Sequence, residues 1–192
     1  MNNLTAPSLV IPQTAVFGGG CFWCTEAIFQ MLRGVTKVTP GYAGGDKENP
    51  NYYQVSEEKT GHAEVIEIEF DPTIIPYEIL LEIFWNLHDP TTLNQQGADT
   101  GTQYRSIILT TSSEQQVLAE TMKQKLDAAG DFAGPIVTEI KPLKKFYLAE
   151  EYHQNYYKNN EYQPYCQVVI SPKLQKLRQK YSQLLTDPNQ IA

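Results

Sequence analysis

The chain has 192 residues and a net charge of −7, with 41% hydrophobic and 19% charged residues. This composition suits one globular domain with its own core and excludes a disordered chain. No Lys/Arg-rich stripe is present to grip nucleic-acid phosphates, and no apolar run approaches the roughly 18 residues of a membrane helix.

Residues 1–13 read as a flexible leader carrying Pro7 and Pro12. The leader lacks the basic patch and apolar core of a signal peptide, so the sequon Asn3-Leu4-Thr5 carries no weight. Residues 14–192 read as a single domain. The run Ala15-Val16-Phe17 predicts a buried strand that meets a tight turn at Gly18-Gly19-Gly20. After Cys21, Ala27, Ile28, Met31 and Leu32 recur at helical spacing, with Gly34 at the left-handed position that ends a helix. Val35 to Tyr42 is strand-like, and residues 43–61 read as a long surface loop of the kind that often carries function.

His62 to Phe70 predicts a second long strand. Tyr77 to His88 predicts an amphipathic helix with Ile79, Leu80, Ile83, Phe84 and Leu87 inward. A polar loop spans Asp89 to Gln103, and Ser106 to Leu109 is a short strand. Ser113 with Gln116 predicts a capping box for a helix that runs to Ala129 before Gly130. Ile136 to Ile140 is a strand, and the Tyr-rich stretch Phe146 to Tyr165 predicts a short helix and coil. Ser171-Pro172 predicts the start of a closing helix with Leu174, Leu177, Tyr181 and Leu184 on one face. The order up to residue 109 is strand–helix–strand–strand–helix–strand. That is the split βαβ order of a ferredoxin-like two-layer α/β (α+β) sandwich, here with a C-terminal helical and coil extension.

Three cysteines, Cys21, Cys24 and Cys166, are an odd count, which argues against a disulfide-stapled secreted scaffold and for a reducing cytoplasm. The glycine turn sets Cys21 at a helix start, where free N–H groups and the helix dipole favour a thiolate. The glycines also let a bulky substrate approach the backbone; the alternative is an inert buried thiol. Zinc is disfavoured because Cys166 stands alone and His62, His88 and His153 have no short-spaced partners, so no metal is expected.

Strand parity singles out Glu64. It shares the face of Ile66, Ile68 and Phe70, whereas Glu67 and Glu69 point the other way. A carboxyl on the apolar face is desolvated, holds its proton near neutrality and is a candidate general acid. A position at the exposed strand end is the alternative. Asp99 with Tyr104 and Arg105 follows a glycine loop that can lead all three into one cleft, and Tyr52 and Tyr53 lie in the long loop. Taken alone, each reads first as part of a solvated turn or loop.

Several strings together resemble the peptide methionine sulfoxide reductase A family, which acts on the S epimer. They are Gly-Gly-Gly-Cys-Phe-Trp-Cys-Thr-Glu (18–26), Gly-Tyr-Ala-Gly-Gly (41–45), Asn-Pro-Asn-Tyr (49–52) and Thr-Gly-His-Ala-Glu-Val (60–65). Phe-Trp-Asn-Leu-His-Asp-Pro (84–90), Gln-Gly-Ala-Asp-Thr-Gly-Thr-Gln-Tyr-Arg-Ser (96–106) and Ala-Glu-Glu-Tyr-His-Gln (149–154) continue the resemblance in order.

The resemblance implies that Cys21 is the nucleophile and that Phe22 and Trp23 form the wall for the substrate's S-methyl group. It implies that Glu64 protonates the sulfoxide oxygen, that Tyr52 and Tyr104 hold that oxygen, and that Asp99 supports the site through water. Oxidised proteins and free methionine sulfoxide are the implied substrates. An external dithiol such as thioredoxin is the implied reductant, with no cofactor, and a monomer is expected. Many relatives carry Gly at the position of Cys24 and two recycling cysteines near the C-terminus. Cys166 matches the first of these, so a Cys21–Cys166 disulfide is expected, with Cys24 as the competitor. The rival readings are a general thiol–disulfide oxidoreductase using Cys21 and Cys24, and a non-catalytic module that binds zinc or methionine-rich peptides.

Overall fold

The structure is a computed structural model, and it describes residues 11–186. Residues 1–10 of the expected leader lie outside the described residues, and the first strand opens at Gln13, one residue before the expected boundary.

In chain order the elements are β1 (Gln13–Gly18), α1 (Phe22–Phe29), β2 (Val35–Ala43), α2 (Tyr52–Ser56), β3 (Ala63–Phe70) and α3 (Tyr77–Leu87). A small hairpin, β4 (Gln95–Gln96) and β5 (Asp99–Thr100), precedes β6 (Ile107–Thr110) and α4 (Ser113–Ala129). β7 (Glu139–Pro142), β8 (Phe146–Leu148), α5 (Tyr156–Asn159) and α6 (Ser171–Tyr181) complete the fold. Six strands form one mixed sheet in the order β7-β6-β1-β3-β2-β8. The inner four pair antiparallel, β7 joins β6 in parallel, and β8 closes the far edge against β2.

Alternation along the strands sorts side chains to two faces. Ala15, Phe17, Ile66, Ile68, Phe70 and Ile108 enter the main core, where they meet Ile28, Leu80, Ala119, Leu174 and Leu177 from the helices. Each fully buried Leu, Ile or Phe contributes about 1.5–3 kcal/mol, so this layer dominates stability. Val16, Val65, Ile107 and Leu109 form a smaller cluster on the other face, against Leu143 and Phe146.

Several predicted boundaries move, each for a local reason. Helix α1 ends at Phe29, because tertiary bonds from Arg33 N–H to Leu184 O and from Thr186 N–H to Met31 O take over the chain beyond it. Leu32 is buried without being helical, and Gly34 (φ 93°) turns the chain toward β2 rather than capping α1. The cap of α4 is Ser112, whose Oγ accepts Gln115 N–H at 3.2 Å; the predicted Ser113–Gln116 pair is one residue late. β7 starts at Glu139, since Ile136 N–H is diverted to Asp127 Oδ1 and Val137 N–H to Pro90 O.

The Tyr-rich stretch yields a strand, β8, as well as a short helix, and the long loop holds α2, capped by Asn51. Ser171 is not a cap. It lies inside α6, which grows out of a π-helical turn at Cys166–Ile170, and its Oγ donates to Cys166 O. Among the described residues no helix is long and apolar enough to cross a membrane.

Candidate active site

Cys21 is the residue on which α1 starts. Its carbonyl accepts Cys24 N–H at 3.1 Å, the first bond of the helix. The three preceding glycines serve close packing by the protein itself. A Cβ on Gly18 would lie 2.8 Å from Glu64 O and from Ile107 Cγ2, and one on Gly20 (φ 90°) would lie 2.6 Å from Gln96 Cγ. The lack of side chains there permits the crossing of β1, β3 and the β4 hairpin.

Glu64 faces α1 from β3, on the side of Ile66 and Ile68, and only 2% of it is exposed. Its Oε2 accepts the Phe22 N–H at 3.0 Å, which sets the carboxyl beside the first residue after Cys21. Burial pushes the Glu64 carboxyl up to about 8 against the pull of that N–H, and Asp99 and Cys24 push the same way.

Cys21 is 7% exposed. Burial, Cys24 and Glu64 raise its thiol well above the ordinary value. In the resting site burial works against the ionisation expected of Cys21. The end of a short helix is outweighed by desolvation, and the N–H that would face a thiolate is given to Glu64. Cys24 is the more acidic partner. The Cys21 thiol holds it down to about 7 against burial, and Lys173 on α6 helps.

Aromatic rings wall the site. Trp23 stacks on Tyr156 with centroids 3.6 Å apart and planes 6° apart, and its Nε1 donates to His153 Nδ1 at 3.1 Å. Burial lowers the His153 pKa, so the ring stays neutral and free to accept that bond. The Phe22 and Tyr52 rings lie 4.9 Å and 4.7 Å from the His153 ring, centroid to centroid. Glu150 fixes this corner by accepting Tyr52 N–H and the Tyr42 hydroxyl, each at 2.8 Å.

Tyr52 and Tyr104 both feel Glu64 and Cys21, and burial raises both hydroxyls. Asp99 Oδ2 accepts the Tyr165 hydroxyl at 2.9 Å, and that same hydroxyl lies 3.8 Å from Cys24 Sγ. Next to it, Cys166 is wholly buried, and its thiol is raised by burial and by Cys24. All three cysteines are free thiols.

Arg105 does not join Asp99 and Tyr104. It donates to Thr102 O and Gly61 O, both at 2.9 Å, and pairs with Glu139, so it braces the loops below the site. Among the described residues no three His, Cys, Asp or Glu side chains gather as a metal site. Sequence reasoning gave no role to Glu150, His153, Tyr156 or Tyr165. The excess of tyrosines and the string at 149–154 were the available signals, but neither says which rings meet Trp23.

The sequence profile of the family described as Peptide methionine sulfoxide reductase matches residues 13–185. The chain belongs to this family. MsrA of Polynucleobacter asymbioticus is 48% identical over 96% of this chain and 97% of its own length. Among solved structures, Mxr1 from Saccharomyces cerevisiae in reduced form matches with a TM-score of 0.74 and 31% identity, over 86% of this chain and 95% of that one. Methionine sulfoxide reductase A of Corynebacterium diphtheriae matches with a TM-score of 0.73 and 37% identity, over 83% and 81%. The reductase shares their mixed α/β fold and, by membership, is an oxidoreductase that returns methionine sulfoxide to methionine, a protein-repair reaction.

Proposed function

We propose that the protein reduces the S epimer of methionine sulfoxide, in oxidised proteins and free, by attack of Cys21 on sulfur while Glu64 protonates the oxygen. The observation that carries this reading is the 3.0 Å bond from Phe22 N–H to Glu64, which puts a protonated acid at the start of the Cys21 helix in a nearly dry site. Sulfoxide oxygen leaves poorly until it is protonated, and a carboxyl titrating near 8 holds that proton at neutral pH.

The Cys24 thiolate takes the Cys21 proton; this transfer between the two coupled sulfurs runs uphill and is drawn forward by attack on the sulfoxide. The Cys21 thiolate then attacks, the sulfoxide oxygen moves to Cys21 with the proton from Glu64, and methionine leaves. Phe22 and Trp23 receive the S-methyl group, and the Tyr52 and Tyr104 hydroxyls hold the oxygen. Burial keeps Glu64 protonated, the nearby Asp99 adds to this, and Asp99 supports the site through water.

Cys24, whose thiol interacts with Cys21, resolves the sulfenic acid first and releases water. Cys166 reaches the pair only after Tyr165 lets go. An external dithiol closes the cycle with no cofactor. Mxr1, to which this chain is similar, has been solved in complex with Trx2, and this supports thioredoxin in that part. Residues 14–192 act as one catalytic domain, as a monomer in the reducing cytoplasm. The strand order β6-β1-β3-β2, all antiparallel, supports a ferredoxin-like core.

The test is a single turnover on peptides carrying each sulfoxide epimer, without reductant. Stoichiometric methionine from the S epimer alone supports the reading, and none from either epimer sinks it. Mass mapping of the product decides the thiol order: a Cys21–Cys24 bond with Cys166 free supports Cys24, and a Cys21–Cys166 bond restores the pairing expected from sequence.

A further inference from the structure

Glu26, on α1, is a second buried carboxyl in addition to Glu64 of β3; it is 1% exposed and has no part in the chemistry above. It lies one turn beyond Trp23 on the same side of the helix. Its Oε1 accepts Asn155 N–H at 2.7 Å, and its Oε2 accepts Tyr156 N–H at 3.2 Å. Those amides open α5, and Asn155 adopts a left-handed conformation there (φ 53°). A turn further along, Gln30 Nε2 donates to Asn155 Oδ1 at 3.0 Å. Residues 23, 26 and 30 of one short helical stretch therefore grip the segment 153–156.

We propose that Glu26 is a positioning residue for substrate binding: by holding the backbone of Asn155 and Tyr156, it clamps the Tyr156 ring flat against Trp23 and so sets the wall of the S-methyl slot. This rests on the assignment of Phe22 and Trp23 to that slot.

Three contacts converge on the wall. The His153 ring fixes the indole N–H, the Tyr156 ring covers one indole face, and Glu26 ties the backbone of Asn155 and Tyr156 to the helix that carries Trp23. Glu26 also satisfies two amides on the short segment that joins the 3₁₀ turn at Glu151–His153 to α5. Without an acceptor these amides must find water, and the segment that presents Tyr156 moves off the indole. Glu26 has no contact with the nucleophile or the acid, so its loss weakens capture of the substrate and leaves proton delivery intact. Burial pushes its carboxyl up to about 7 while the two amides pull it down, as befits an acceptor kept for those donors.

The experiment compares Glu26→Gln, Glu26→Ala, Tyr156→Ala and the Glu26→Ala/Tyr156→Ala double variant in the full chain. Each is assayed with a peptide methionine S-sulfoxide for KM and for the first-turnover rate at saturation. We expect KM to rise about tenfold in Glu26→Ala, the equivalent of roughly one buried hydrogen bond, and less in Glu26→Gln, which keeps one acceptor. The saturated first-turnover rate stays near that of the parent, and Glu26→Ala adds nothing once Tyr156 is Ala. Glu26→Gln keeps the volume of the side chain and reports on KM even where Glu26→Ala does not fold. An unchanged KM in the Glu26 variants, a fall in the saturated rate alone, or additive effects in the double variant overturns the proposal. A parent protein that yields no methionine overturns the slot assignment instead.

Discussion

The Phe22 backbone amide and the Glu64 carboxyl meet at 3.0 Å across 42 residues of sequence. This contact joins a strand to the helix that starts at Cys21, and it commits the first amide after Cys21 to the acid. Glu64→Gln keeps the contact and removes the proton. The first-turnover rate of methionine formation should fall by about 100-fold or more, with KM little changed, as read by rapid quench. In the parent, the rate should decline as pH rises through about 8, where Glu64 loses its proton, and not near the ordinary carboxylate range.

The same carboxyl makes stability depend on pH. Its folded pKa of about 8 lies above the usual 4.5, so between those values the folded state holds a proton that the unfolded chain has released. The contribution is fully present below about 4.5 and is lost as pH rises through about 8. From pH 5 to pH 9 the parent should therefore lose stability relative to Glu64→Gln, by a few kcal/mol at most. Paired denaturant titrations across that range check the slope, and a constant gap would remove the acid from its buried setting.

Cys24 owes its lowered pKa of about 7 first to the Cys21 thiol. Cys21→Ala should move the pH midpoint of Cys24 labelling upward, because burial then prevails. Tyr165→Phe should move it in the same direction by less. Labelling with a small thiol reagent, followed by peptide mass mapping, reads both shifts.

Gly45 tests the loop beneath the acid. A Cβ there would lie 2.4 Å from Gly61 C, His62 N and Thr60 O, all of them backbone atoms that cannot yield cheaply. The loop is also clasped by His62, which accepts Gly45 N–H at 3.1 Å. Gly45→Ala should cost about 2 kcal/mol or more in urea unfolding, whereas Gly97→Ala, in open space, should cost about 1 kcal/mol or less.

The inner sheet and the burial of Glu64 were legible because strands announce themselves by alternation, and one carboxylate out of step with its neighbours is visible in a string of letters. The far end of α1 was not legible. The spacing of Met31 and Leu32 marks burial, and burial against Leu185 looks the same as burial on a helix. The direction of the Cys21 shift was hidden too, since a helix start argues for a thiolate while the depth of the pocket depends on Tyr165, Trp23 and Glu64 meeting there. Arg105 read as a site residue beside Asp99 and Tyr104, yet two of its partners, Gly61 O and the Glu139 carboxylate, come from distant segments that no local pattern names.

Trp23 finds its hydrogen-bond acceptor 130 residues later, at His153. During synthesis the reactive sulfur therefore leaves the ribosome long before the rings that enclose it. A nascent or truncated chain that stops short of His153 carries the thiol but not the enclosure. Repair capacity then waits on the synthesis of the segment around His153, and a cut before that residue would silence the enzyme while sparing its nucleophile.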